Sequence, residues 1–231
     1  MKISVALAAY HGERYIEAQI TSILAQLGET DELIVSDDDP GGATGELVRR
    51  MAAADPRIRC LEGPRQGVVK NFEHALRHCS GDVIFLSDQD DVWLPGKVAA
   101  VTAAIEGGAD LVLHDAKVTD ADLNEIAPSY FAQHGCTRSF LRTLLRNTYV
   151  GCCMAFTRQV LTESTPFPGD VPMHDWWIAL CALRRGRKVA LLHEPLLLWR
   201  RHDGNVTGGK TAFADKLRWR LVLLRALTRR Q

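Results

Sequence analysis

The chain is predicted to be an α/β protein: a Rossmann-like, mainly parallel twisted sheet flanked by helices, with a C-terminal helical extension. Two observations predict it. Over the first 116 residues, short apolar runs alternate with segments of helical period. Strands alternating with helices of this length imply right-handed βαβ units and a sheet covered on both faces. In addition, several of the apolar runs exit directly into polar or acidic residues, where ligands collect in such sheets.

Residues 2–9 read as a buried strand, and 14–27 as an amphipathic helix with Ile16, Ile20, Ile23, Leu24 and Leu27 on its inner side. A second strand covers 32–36. After a turn rich in Asp and Gly, a helix is expected at 45–54, a third strand at 58–61 and a helix at 68–78. Residues 82–87 form a fourth, apolar strand, and 110–116 a further one. Regularity weakens through 118–136, and the second half mixes short apolar stretches with helices. In the tail, Phe213, Leu217, Leu221, Leu224 and Leu227 follow helical spacing, with Lys216, Arg218, Arg220 and Arg225 elsewhere around the helix. Residues 210–231 carry seven basic residues and only Asp215 as an acid. Such a helix either lies on an anionic membrane surface or docks on its own domain with a solvated basic face.

The 231 residues are 46% hydrophobic and 24% charged, enough for one substantial core. The 28 basic and 28 acidic residues cancel, so no overall field draws the chain to nucleic acid. Six cysteines without a CxxC pair read as reduced thiols. No signal peptide is evident and no apolar run approaches the ~20 residues of a membrane span, so a cytoplasmic protein is expected.

The strand exits carry the chemistry. The first leads into Tyr10-His11-Gly12-Glu13, the second into Asp37-Asp38-Asp39 and the fourth into Asp88-Gln89-Asp90-Asp91. Acid groups at one sheet edge repel unless something offsets them, and a divalent cation is the simplest answer. Magnesium or manganese takes one or two carboxylates together with substrate phosphate oxygens. Asp88 and Asp90, two apart in a tight turn, can both face such an ion, while Asp91 either fixes the turn or meets the substrate.

The run Phe85-Leu86-Ser87-Asp88-Gln89-Asp90-Asp91-Val92-Trp93 closely resembles the metal-binding acidic motif of family 2 glycosyltransferases, in their rhamnosyltransferase-like branch. Other segments agree in order. Ser4 to Glu13 is similar to the family's first strand and nucleotide loop, Ile34-Val35-Ser36-Asp37-Asp38 to its second strand, and Gln66 to Phe72 to its next turn and helix. His174-Asp175-Trp176-Trp177 resembles its acceptor-side acidic motif, and Trp199 to Val206 a later segment with an Arg-x-His core. Ala8-Ala9 stands where the family often has Pro-Thr, His11 where Asn is usual, and Asp38-Asp39-Pro40 where Asp-Gly-Ser is usual.

The resemblance implies a GT-A domain over residues 1–208, with a nucleotide-sugar half (1–116) and an acceptor half (117–208), followed by a basic amphipathic helix at 209–231. It implies an inverting, metal-dependent transfer of a sugar, with rhamnose favoured, from a nucleotide-diphosphate donor to a glycan or lipid-linked saccharide in surface polysaccharide synthesis. Ala8, Tyr10, Glu13, Asp37, Lys70 and Asp88 would hold the donor, with Tyr10 offering a stacking face. Asp88, Asp90 and His202 would hold manganese or magnesium. Asp175 would be the base, with Trp176 and Trp177 desolvating it and stacking on the acceptor sugar. Two rivals remain at this stage: a haloacid-dehalogenase-type phosphatase built on Asp88-x-Asp90, and a sugar-nucleotide-binding module without turnover.

Overall fold

A computed structural model describes residues 1–205 and 212–228, apart from the side chain of Phe213. In chain order the elements are β1 (Ile3–Ala9), α1 (Ile16–Leu24), β2 (Glu32–Asp37), α2 (Ala43–Ala54), β3 (Ile58–Glu62), α3 (Val68–His78), β4 (Val83–Asp88), β5 (Val92–Trp93), α4 (Lys97–Glu106), β6 (Leu111–Thr119) and β7 (Glu125–Ala127). Then come α5 (Tyr130–His134), α6 (Phe140–Leu145), a 3-10 turn (Gly151–Cys153), β8 (Met154–Thr157), α7 (Arg158–Ser164), α8 (His174–Arg184), β9 (Val189–Arg200) and α9 (Phe213–Thr228).

Among the described residues one sheet runs β3-β2-β1-β4-β8-β6-β9-β5, with β7 paired to β6. The first four strands are mutually parallel, and β1 pairs with β2 on one side and β4 on the other. The chain builds outward from β1 to β3 and then returns to lay β4 on β1's other edge. A crevice therefore opens beyond the carboxyl ends of β1 and β4, where the winding reverses. Ile16, Ile20 and Ile23 of α1 are fully buried, as their 3, 4, 7 spacing requires.

The second half is where sequence periodicity failed. β8, only four residues long, enters antiparallel between β4 and β6. β9 is parallel to β6 but contains Pro195, and the register slips where Asp115 faces Pro195. A proline cannot donate to the ladder and survives in a strand only at such an irregularity. Read along the chain, it splits one strand into two apolar fragments.

The tail helix forms, and its predicted stripe is divided: Leu217, Leu221 and Leu224 are 51%, 47% and 40% exposed, while Leu227 is buried together with Leu223 and Ala226. The docked side is centred away from the predicted stripe, three of whose leucines face outward. The predicted boundary at 208 and the ends of the tail, 209–211 and 229–231, lie outside the described residues, as does Val206. No helix among the described residues is long and apolar enough to cross a membrane. All six cysteines are free; Cys79, Cys152, Cys153 and Cys181 are buried and Cys60 and Cys136 half-buried.

Glu73 of α3 anchors the loop that leads into α8. It is 3% exposed, accepts from Lys70 Nζ and Arg77 Nη2 at 2.6 Å each, and accepts from the Phe167 amide at 2.9 Å. Burial alone would raise its carboxyl, but the Lys70 and Phe167 donors win and hold it below the ordinary range. Glu73→Ala should cost ~2–3 kcal/mol in a urea melt, because a buried amide and an ammonium lose their acceptor. A depressed carboxyl contributes stability above its unfolded value and loses it as pH falls through the folded one. The gap between wild type and variant should therefore close in acid.

Candidate active site

At the carboxyl ends of β1 and β4 lies a cavity of about 740 Å³. Its floor is Ala8, Ala9 and Asp88; Ala8 and Asp88 face each other across the β1–β4 ladder. Tyr10, 59% exposed, and His11 form one lip. Gln89 ties the lip to the acidic loop: its Oε1 accepts from Tyr10 N, and its Nε2 donates to Tyr10 O, both at 2.8 Å. His11 and Arg65, both lining the cavity, have φ of 50° and 58°. Asn and His enter this left-handed region more readily than most side chains, a backbone reason for finding His11 where Asn is usual. Strained backbone of this kind gathers at functional sites.

The acidic loop is held from behind. Arg200, 6% exposed, donates from Nε to Asp90 O at 2.6 Å, from Nη1 to Ala121 O, and from its amide to Asp91 Oδ1 at 3.0 Å. Its guanidinium lies 4.5 Å from the Tyr15 ring centroid. Two residues on, His202 Nε2 lies 2.8 Å from Asp90 Oδ2, and Asn205 Nδ2 donates to that same oxygen at 2.9 Å. Residues 115 positions apart in sequence thus converge on one carboxylate oxygen.

Beneath the loop lies Lys97, the first residue of α4, fully buried. Its Nζ donates to Cys152 O at 2.8 Å and sits 4.1 Å from the Trp93 ring centroid. Burial pushes this ammonium down to about 8. Burial, then the charges of Asp90 and Asp175, push the Asp88 carboxyl up to about 7. Asp91, buried, has one oxygen without a partner and is likewise raised by burial and by Asp90 and Asp88. Three carboxyls, Asp88, Asp90 and Asp91, stand against the buried cations Lys97 and Arg200, a balance that accommodates a further cation on the cavity side.

Two groupings of possible ligands stand out. Asp88, Asp91 and Cys152 place their ligand atoms within 4.8 Å of one another. Asp91 does not line the cavity, however, and a thiol is a poor partner for a hard cation. Asp88 and Asp90 do line it, and Asp90 carries His202 beside it. Carboxylate oxygens with an imidazole at the edge of the cavity suit manganese or magnesium.

Asp175, in the first turn of α8 and 5% exposed, lines the same cavity. Its Oδ1 accepts from Asn147 Nδ2 at 3.1 Å and Trp176 N at 2.5 Å, and its Oδ2 from Gly151 N at 3.1 Å. Burial outweighs these donors and pushes the carboxyl up to about 6. His174 beside it stacks on Phe72 with centroids 3.8 Å apart and is held neutral, near 3, by burial; neither ring nitrogen has a partner. A Cβ at Gly151 would come within 2.8 Å of His174 Nε2, so the turn under Asp175 needs glycine.

Of the sequence-predicted site residues, the structure brings Ala8, Tyr10, Asp88, Asp90 and Asp175 to one cavity, with His202 against Asp90. Others sit elsewhere. Lys70 does not line the cavity; its ammonium is taken by Glu73 and also approaches Phe167 O. Asp37 is fully buried one residue short of the cavity, which is lined instead by Asp38, whose carboxylate accepts from the amides of Arg65 and Gly67. Glu13 accepts from Thr44 Oγ1 at 2.8 Å, and Thr44 in turn receives the Gly12 amide, so Glu13 braces the lip from outside. Trp176 and Trp177 are buried, with indole N–H groups donated to Thr143 O and Ser164 O. An indole so committed belongs to the core and presents no face to a sugar. Sequence reasoning missed Gln89 as the clamp, Asn205 and Lys97. Asn205 lay within the segment singled out around His202, while a lysine opening a helix carries no sign that it will be buried.

Residues 4–164 match the family model described as "Glycosyl transferase family 2". The dTDP-rhamnosyl transferase RfbG of Shigella flexneri is 25% identical over 235 residues, covering 95% of this chain and 79% of that protein. Staphylococcus aureus TarS in complex with UDP-GlcNAc superposes with a TM-score of 0.72 at 17% identity, over 97% of this chain and 66% of that one. The mannosyltransferase PcManGT of Pyrobaculum calidifontis, in complex with GDP-Man and Mn2+, gives a TM-score of 0.65 at 21% identity, covering 99% and 64%.

Proposed function

The chain belongs to glycosyltransferase family 2 and has the GT-A fold, and we propose that it transfers a sugar from a nucleotide-diphosphate donor to a saccharide or lipid-linked saccharide by a single inverting displacement. The observation that carries this reading is one cavity lined by two unlike acid groups: a crowded acidic loop after β4 and a separate raised carboxyl, Asp175, on α8. A direct displacement needs that pairing, a charge-stabilising side for the leaving diphosphate and a base on the opposite side for the incoming hydroxyl.

In this reading Ala8 and Ala9 admit the nucleoside close to the strand ends, and Tyr10 offers a ring face to the base. Asp38, fixed by two backbone amides, accepts from ribose or base donors. Asp88 and Asp90, with His202, would hold manganese or magnesium, which when bound stabilises negative charge on the departing diphosphate. Arg65 and Arg201, both lining the cavity, supply fixed positive charge for phosphate. Asp175 accepts the proton of the acceptor hydroxyl while Asn147 and Gly151 hold its oxygens in place. The relatives pair one fold with dTDP, UDP and GDP sugars, so the base is chosen by the lip residues and not by the sheet. A rhamnose donor is favoured by the likeness to the Shigella transferase, and surface polysaccharide synthesis is the role proposed for such a transfer. A membrane-linked acceptor would make peripheral contact of the tail useful to a cytoplasmic enzyme.

The test is release of nucleoside diphosphate from a panel of donors in the presence of manganese. One donor should be cleaved well above the others, and acceptor saccharide should speed it. If no donor is cleaved while p-nitrophenyl phosphate is hydrolysed, the transferase reading fails.

A further inference from the structure

We propose that α6 and α9 together form a docking surface for an anionic lipid bilayer. The two helices are joined, Arg220 of α9 donating from Nε to Leu145 O of α6 at 3.0 Å and from Nη2 to the same oxygen. On their outer side Leu141, Leu145, Leu217, Leu221 and Leu224 are 68%, 61%, 51%, 47% and 40% exposed. At 100° per residue, positions 217, 221 and 224 fall on one face of α9, with Arg220 on one flank and Arg218 and Arg225 on the other. Five large apolar side chains exposed on two touching helices are not the scattered leucines of an ordinary surface.

The charge around the patch chooses the occupant. The stretch 136–150 contains Arg138, Arg142 and Arg146, all exposed, and no acid; 212–228 adds Lys216, Arg218, Arg220 and Arg225 against Asp215 alone. Asp170, which lines a shallow groove with Leu217 and Leu221, adds one acid at the border of the patch. A leucine stripe flanked by arginines matches the interfacial zone of a bilayer bearing anionic headgroups. A second copy of the chain is disfavoured, since a two-fold contact would set identical basic rims against each other. The same surface adjoins the proposed base: α6 runs into Asn147, which donates to Asp175, and the Trp176 indole donates to Thr143 within α6. Docking would hold the acceptor side of the cavity toward the membrane. Only this use of the surface rests on the transferase reading with a lipid-linked acceptor; binding itself stands apart.

The experiment is sedimentation of the full chain with phosphatidylcholine vesicles and with vesicles containing about one third phosphatidylglycerol, at low and high salt, with donor titration run on the same samples. Partition to anionic vesicles should exceed that to neutral ones by at least about tenfold and weaken with salt. Replacing Leu217, Leu221 and Leu224 together by Ser should lower it by at least about tenfold with donor affinity unchanged. Should that variant fail to bind donor or fold, Arg142→Gln with Arg146→Gln takes its place and should lower partition and flatten its salt dependence. Equal partition to both vesicles, wild-type partition in either variant, or a solution dimer lost in the Ser variant without vesicle binding overturns the proposal. Vesicle binding without donor binding would sink the transferase reading alone.

Discussion

Asp175→Asn is expected to lower transfer by about 10²–10⁴-fold, the range a positioned general base contributes, while donor affinity stays within about threefold. The asparagine oxygen can still accept from Gly151 N or Asn147 Nδ2, so the turn that shapes the cavity persists. What is lost is the capacity to take a proton. The change in stability should be small, because relief of the desolvation cost of a carboxyl 5% exposed is offset by the buried N–H that the amide nitrogen leaves without an acceptor. The pH profile supplies an independent readout. Burial holds the Asp175 carboxyl up at about 6, so the basic form is scarce below that value and dominant above it. Turnover should rise with pH through about 6 and level off, and the residual turnover of Asp175→Asn should lack that limb. Equal turnover in variant and wild type would remove Asp175 from the chemistry and leave it the plainer role of an acid in the first turn of a helix.

Asp90→Asn is expected to abolish the stimulation of donor binding by manganese and to lower turnover by about 10²–10³-fold, in keeping with loss of charge stabilisation at a leaving diphosphate. The substitution is close to isosteric, and an amide oxygen can still accept from Asn205 Nδ2 or His202 Nε2, so the contact between the acidic loop and the end of β9 survives. Only the charge goes. Isothermal titration of a donor with and without manganese reads this directly: the two curves should differ for wild type and coincide for the variant. If manganese raises donor affinity equally in both, the cation sits elsewhere, and the buried grouping of Asp88, Asp91 and Cys152 becomes the place to look.

How much of this could be read along the chain follows from locality. The β1 to β4 half was legible because each strand is followed within a dozen or so residues by its own helix, and because Asp88 and Asp90 act as neighbours in one turn. The β8 to β9 half was not, since β8 is four residues long and β9 is interrupted at Pro195, where a register slip accommodates it. Site errors have equally specific causes. Asp37 and Asp38 differ by one residue at a strand end, and one step turns a side chain from the cavity to the sheet interior. Lys70 has Glu73 three residues on, a helical pair that competed with the donor site and won. Trp176 and Trp177 follow an acid in a helix, and sequence alone does not say whether such rings meet a sugar or a core. The convergence of His202 and Asn205 on Asp90 could be suspected only from family likeness, because no local pattern joins residues so far apart.

The central claim, that this cavity holds a nucleotide sugar, is tested most directly by titrating the purified chain with a panel of dTDP, UDP and GDP sugars, with and without manganese. Tight binding of one donor that requires the metal, and is competed by the matching nucleoside diphosphate, is the predicted result. No nucleotide binding under any of these conditions would contradict it.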